Sequence, residues 1–173
     1  MIRIAVTGPE SCGKSTLSKS LAKHFDCKGY EEYVRSYFQQ HGAEYAYTDL
    51  ETIATGHLNQ FVNDSAQLQI IDTDFIVMKI WSVYRFGKVS GVIQNMIMND
   101  YFDLHILCSP DIAWVEDPYR ENRYDREALF KQYTTELKQY SKNFVIVKGS
   151  HEQRMSTSID AINALLNIKT IPL

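Results

Sequence analysis

Gly8-Pro9-Glu10-Ser11-Cys12-Gly13-Lys14-Ser15 is the stretch on which the fold turns, and it has the form GxxxxGK[ST]. The β-rich run Ile2–Thr7 precedes it. After it, Leu17, Leu21 and Phe25 recur along one face of a helix. A strand, a glycine-bounded turn and a helix form the context in which this pattern cradles phosphate. Successive N–H groups of such a turn point inward at anionic oxygens, and the helix N-terminus adds partial positive charge. The candidate nucleotide contacts are Gly8, Glu10, Ser11, Cys12, Gly13, Lys14, Ser15 and Thr16. Lys14 would reach the β- and γ-phosphates, Ser15 would ligate Mg²⁺, and Thr16 would meet the α-phosphate. Average composition produces the four constrained positions by chance with a probability on the order of 1% in a chain of this length.

Outward from the loop, short apolar runs alternate with helical patterns. Strands are expected at Gly29–Tyr33, Leu68–Ile71, Asp103–Cys108 and Asn143–Val147. Helices are expected at Arg35–His41, from Thr48 to about Asp64, over Phe75–Arg85, Val89–Asn99 and Arg126–Tyr140, and from His151 to Leu166. Thr48 with Glu51 has a capping-box spacing. Leu50, Ile53, Ala54, His57 and Phe61 share the inner face of the helix that follows. Strands separated by helices imply βαβ crossovers and a parallel sheet covered on both faces. Residues 109–125 are polar, carry Pro110 and Pro118, and read as a loop of the length usually kept for function.

The chain has 173 residues, a net charge of −3 and 45% hydrophobic residues. One domain over 1–173 is expected, with no repeat or linker. The acidic balance gives no global reason to bind nucleic acid. No apolar run approaches the ~20 residues needed to cross a bilayer, so no membrane partner is expected. The three cysteines Cys12, Cys27 and Cys108 have no zinc spacing, and a reducing cytoplasmic compartment is the simplest expectation.

The remaining candidates cluster after expected strands. Asp72 ends an apolar strand, where a carboxylate can hold the Mg²⁺ water shell. Asp74 either faces the same cleft or caps the next helix. Glu32 and Arg35 follow the second strand; a carboxylate there can orient or deprotonate an attacking hydroxyl, or the two form an i,i+3 ion pair. Arg120, Arg123 and Arg126 lie where a closing lid would sit over migrating charge. Trp81, Trp114 and the tyrosines can stack on a base. Lys148-Gly149-Ser150 can border an adenine.

GPESCGKSTL, EEYVR, the DTD at 72–74 and YFDLHILCSPDIAWVEDPYRENR together resemble one family. They are similar to the ribosylnicotinamide kinase domain at the C-terminus of the bifunctional bacterial NAD-metabolism regulator. The similarity runs in order over nearly the whole chain. It implies transfer of the ATP γ-phosphoryl group to the 5′-hydroxyl of nicotinamide riboside, with ATP and Mg²⁺ as cofactors. By position it implies Glu32, Arg35, Asp74 and Asp117 as acceptor-side or lid residues, with Asp72 near Mg²⁺. From the residues themselves, Trp81 is expected against the substrate, Arg120 among the catalytic groups and Arg123 on the nucleotide. The base would be Glu32 or Asp74. The implied fold is a three-layer α/β/α P-loop kinase with a five-stranded parallel sheet of order 2-3-1-4-5 and a mobile lid. Relatives also carry an adenylyltransferase domain and sometimes a DNA-binding domain; this chain opens at the kinase strand, so neither activity is expected of it. Two departures bear on the substrate. The lid reads Asp-Pro-Tyr-Arg where relatives often have Asp-Gly, and Glu31 stands where some relatives have an aromatic residue. A kinase for another nucleoside or nucleotide, and a non-catalytic ATP-binding switch, are the alternatives.

Overall fold

Strand β1 (Ile2–Thr7) lies at the centre of a sheet because both of its faces are apolar. Ile4 and Val6 point to one side with Ile2; Ala5 points to the other, as strand alternation requires. The computed structural model describes residues 1–120 and 122–170 and leaves Glu121 of the expected lid outside the described residues. Among these, β1 is joined by β2 (Lys28–Tyr30), β3 (Leu68–Asp72), β4 (Leu104–Cys108) and β5 (Phe144–Val147), all parallel, in the order β2-β3-β1-β4-β5. The register places Val6 opposite both Asp72 and Ile106. The expected order and the expected three layers are both found.

Helices α1 (Lys14–His24) and α7 (His151–Thr170) cover one face. Leu17, Leu21 and Ile162 pack there on Ile4, Val6, Ile70 and Ile106. The other face carries α2 (Tyr33–His41), α3 (Asp49–Phe61), α4 (Phe75–Phe86), α5 (Gly91–Met98) and α6 (Arg126–Gln139), packed on Ala5, Ile71 and Leu107. The inner face expected for α3 is the one that is buried. Gly87 closes α4 in a left-handed conformation, and the Ser90 hydroxyl caps α5 by accepting from Ile93 N.

Two local expectations fail. Thr48 is itself helical and its side chain makes no cap; the Asp49 carboxylate instead accepts from Ala46 N and closes the preceding turn. The second strand is also displaced. It ends at Tyr30, and α2 begins at Tyr33, so Glu32 occupies the junction between them with φ −60° and ψ 113°. The C-terminal ends of all five strands therefore open on one edge of the sheet, the edge at which ligands meet parallel α/β folds. Among the described residues no helix is long and apolar enough to cross a membrane.

Candidate active site

The phosphate loop is built by steric necessity. Gly8 has φ 133°, and a Cβ there would lie 2.7 Å from the Cys108 carbonyl oxygen. Gly13 has φ 85° and starts α1, with the following N–H groups free of any side-chain cap. That leaves an uncapped helix N-terminus facing a concave turn, which is an anion site by construction. The Lys14 ammonium lies inside the turn and donates to the Gly8 and Pro9 carbonyls at 3.0 and 2.8 Å. Burial alone would lower its pKa, but Cys12, Glu32 and Asp72 outweigh burial and raise it, so Lys14 stays charged. Burial raises the Cys12 thiol, yet its hydrogen bond with Cys108 and the Lys14 and Arg154 charges bring it down to about 7. The loop interior thus favours negative charge.

A single cavity of about 200 Å³ runs from this loop to an aromatic pocket. Its polar half is lined by Gly8 through Thr16, with Glu32, Arg35, Arg120 and Asn122. Its apolar half is lined by Phe38, Tyr45, Trp81 and Tyr119 among others. These four rings contact one another at centroid distances of 4.8–6.2 Å, and Trp81 Nε1 donates to the Tyr45 hydroxyl at 2.7 Å. They form an aromatic wall of tilted and edge-on rings along the apolar side of the cavity.

Glu32 stands between the two halves. Its Oε1 accepts from Thr73 Oγ1 at 3.1 Å, and its Oε2 lies 3.8 Å from Arg35 Nε. Arg35 reaches on to Asp117 Oδ2 at 3.0 Å, and Arg120 approaches the same oxygen at 3.8 Å. Burial would raise the Asp117 carboxyl, but Tyr119 N and Arg35 hold it below its ordinary value. Asp117 therefore straps residues 109–125 to α2.

Asp72 is buried close to Lys14, Ser15 and Glu32, behind the cavity lining, and its Oδ1 has no hydrogen-bond partner among the described residues. Burial, followed by the nearby Glu32 charge, pushes its carboxyl up to about 6 against the pull of Lys14, Ser15 and Arg35. An orphaned carboxylate oxygen beside the Ser15 hydroxyl, with a second carboxylate near, is a donor set suited to a hard divalent cation. Among the described residues no group of three or more His, Cys, Asp or Glu side chains could hold a metal ion. A cation here would be bound by one or two carboxylates together with phosphate oxygens, the usual manner for Mg²⁺.

Two expected site residues are not brought to the cleft. Asp74 is fully buried: Oδ1 accepts from Val77 N as the cap of α4, and Oδ2 pairs with His105 Nδ1 at 2.9 Å. Burial would raise its carboxyl, but His105 more than offsets this and keeps it low. The cap occupies Oδ1 and His105 occupies Oδ2, and Asp74 does not line the cavity, so it does not take the base and substrate roles expected of it. Arg123 points to solvent and pairs with Glu116 at 2.7 Å instead of facing the loop. Arg120 and Arg126 reach the loop in its place, donating to Ser11 Oγ at 3.3 Å and Ser11 O at 3.1 Å. Trp114 lies under the Arg126 guanidinium and not in the pocket.

Arg154, which no local pattern singles out, lies behind the loop. It donates to the carbonyls of Cys12, Ser109 and Gly149 at 2.9, 3.0 and 3.0 Å and pairs with Asp111. Asp111 in turn accepts from Gly149 N at 2.6 Å. One buried guanidinium from α7 thereby joins the loops after β1, β4 and β5.

The family model described as an AAA domain matches residues 3–154. The chain is 31% identical over 173 residues to the trifunctional NAD biosynthesis/regulator protein NadR of Salmonella typhimurium (strain LT2), covering 94% of this chain and 42% of that protein. It is 30% identical to NadR of Escherichia coli (strain K12), with the same coverages. The chain thus spans less than half the length of the curated relatives it matches. A crystal structure of NadR protein in complex with NR superposes with a TM-score of 0.82 at 23% identity, over 94% of this chain and 51% of that one. A structure of deoxyadenosine kinase from M. mycoides with products superposes with a TM-score of 0.62 at 18% identity, over 95% of this chain and all of the other. The fold is that of the P-loop kinases, and the resemblance read from the motifs is borne out in both sequence and fold.

Proposed function

The chain belongs to the AAA domain family, and on that premise we propose that it is an ATP-dependent kinase that phosphorylates the 5′-hydroxyl of nicotinamide riboside to give nicotinamide mononucleotide. The observation that carries this is the continuity of one cavity from phosphate loop to aromatic pocket, with a carboxylate at the join. A nucleotide-sensing switch needs the first half only. Nicotinamide riboside carries a planar pyridinium cation, and the faces of Trp81, Tyr45, Phe38 and Tyr119 attract such a group by stacking and by cation–π interaction. The likeness to NadR supports the same acceptor. Free cysteines at positions 12, 27 and 108 accord with a cytoplasmic setting.

The Gly8–Thr16 loop holds the nucleotide phosphates, and Lys14 moves from the loop carbonyls onto the β- and γ-oxygens. Glu32 accepts the hydrogen bond of the attacking hydroxyl and aligns it with the γ-phosphorus. Arg35 and Arg120, which line the same cavity, neutralise charge spread over the migrating group. Ser15 and Asp72 would hold Mg²⁺, which supplies charge neutralisation of the phosphates when bound.

Glu32→Gln tests the acceptor half. It keeps the size of the side chain but removes the charged acceptor. Base assistance is worth about 10²–10⁴-fold in general and less in loose phosphoryl transfer. Turnover with nicotinamide riboside is expected to fall about tenfold to a hundredfold, within that reduced range. Calorimetric affinity for a non-hydrolysable ATP analogue should stay unchanged. A loss of analogue affinity with riboside affinity intact would show the two halves to be assigned in reverse.

Asp72→Asn tests the cation. Turnover at low Mg²⁺ should drop about 10–100-fold, and raising Mg²⁺ should restore part of it; unchanged turnover at low Mg²⁺ would leave Asp72 a structural residue. Its raised carboxyl also sets a pH dependence. Between the ordinary aspartate value and about 6, the folded state binds more protons than the unfolded one, so stability falls as pH rises through that window. Protons and Mg²⁺ compete for the same oxygens. The Mg²⁺ concentration giving half-maximal turnover should therefore climb below pH 6 in the parent and stay flatter in Asp72→Asn.

A further inference from the structure

Thr73 has φ 85°, a left-handed conformation that a β-branched residue adopts only under constraint. Residues held in such conformations persist where the surrounding structure over-determines them, and they cluster at functional sites. Here the constraints are explicit. Thr73 N donates to Val6 O at 2.9 Å, which extends the β1–β3 ladder one residue past the end of β3. His57 Nε2 lies 3.2 Å from Thr73 O. Gln60 Nε2 lies 3.3 Å from His57 Nδ1 and donates to Glu31 O at 3.2 Å. Burial lowers the His57 pKa and keeps the ring neutral, which leaves Nδ1 an acceptor for Gln60 and Nε2 a donor to Thr73. The chain of contacts closes on itself, because Thr73 Oγ1 donates to Glu32 Oε1 at 3.1 Å.

We propose that Thr73 is a positioning residue for Glu32, turned by its left-handed backbone so that its hydroxyl fixes Oε1 and leaves Oε2, which faces Arg35 Nε at 3.8 Å, to meet the acceptor. This rests on the acceptor role given to Glu32 above. Glu32 stands at the junction of β2 and α2, with no cap bond of its own to orient it. Its main chain is restrained through Gln60 and its side chain through Thr73, both reached from the buried ring of His57. With Thr73 in an ordinary extended conformation the ladder to Val6 could continue, but the hydroxyl would point elsewhere. The strain is thus the structural condition for the Glu32 contact. His57 and Gln60 hold the strained peptide in place and touch no reacting atom.

The test is a double-mutant cycle read by kcat with nicotinamide riboside and by calorimetric affinity for a non-hydrolysable ATP analogue. Thr73→Val keeps the shape and removes the hydroxyl. It should lower kcat about tenfold and leave analogue affinity within about twofold. Thr73→Ser restores the hydroxyl and should return kcat to within about threefold of the parent. In a Glu32→Gln background, Thr73→Val should cost less than about twofold, because the two act as one unit. Parent-like kcat in Thr73→Val, or penalties that multiply in the double variant, would overturn the proposal while Glu32→Gln remained slow. A parent-like kcat in Glu32→Gln alone would overturn the acceptor role itself. If Thr73→Val fails to fold, Thr73→Gly carries the same test: glycine accepts the positive φ without strain but has no hydroxyl, and the same tenfold drop is expected.

Discussion

Lys14→Ala should reduce phosphoryl transfer by about 10²–10³-fold, since it removes a charge placed on the transition state and not on the resting substrate alone. Among the described residues the ammonium has no carboxylate partner at hydrogen-bond distance; it donates to the Gly8 and Pro9 carbonyls. Those carbonyls border a solvent-reached cavity, so water can replace the lost donor and the melting temperature should move by less than about 3 °C. Loss of activity with the fold retained is therefore the expected pair of results. Turnover within threefold of the parent would remove the phosphate loop from the chemistry.

Arg154→Met should instead act on the fold and, through it, on the nucleotide. Arg154 is 4% exposed, and its guanidinium satisfies three carbonyls from three loops. Methionine keeps the apolar stem but leaves the carbonyls of Cys12, Ser109 and Gly149 without their donor. Each buried unmet acceptor costs roughly 1–3 kcal/mol. Because Asp111 is partly exposed, the charge it is left with costs less than a buried one would. A net loss of about 3 kcal/mol is expected, which corresponds to a melting temperature lower by roughly 6–12 °C in a chain of this size. Affinity for the ATP analogue should fall as well, since the Cys12–Gly13 peptide loses its anchor. A shift below 2 °C in a scanning calorimeter would show that these loops hold their places without Arg154.

What was legible in the sequence is what contiguous chemistry encodes. The phosphate loop needs its glycines, lysine and hydroxyl within eight consecutive positions, so one pattern carries both the cradle and the strand and helix on either side of it. The inner face of α3 follows from helical period alone. The strand order followed from alternating strands and helices together with the family resemblance. Residues whose meaning depends on partners far along the chain were not legible. Asp72 and Asp74 share a motif, yet Asp72 ends β3 while Asp74, past the left-handed Thr73, caps α4 and pairs with His105, on the strand two places across the sheet. Arg120, Arg123 and Arg126 look equivalent in a loop, and only the closed path of the chain decides that Arg123 meets Glu116. Thr48 with Glu51 fits a cap pattern but loses to the turn closed by Asp49. Arg154 lies 142 positions from the carbonyl of Cys12 that it supports, and nothing nearby marks it. The conformation of Thr73 is a product of the β1–β3 ladder and has no trace in composition.

The most direct test of the assignment is a panel of nucleosides incubated with ATP and Mg²⁺, with phosphorylated product resolved for each: nicotinamide riboside, deoxyadenosine, thymidine, adenosine and uridine. The account predicts nicotinamide mononucleotide as the dominant product, with kcat/KM for nicotinamide riboside at least about a hundredfold above any neutral nucleoside, as expected when a polar and cation-selective pocket rejects a guest that lacks the matching group. Preferential phosphorylation of a neutral nucleoside, or ATP binding with no phosphorylated nucleoside at all, would contradict it.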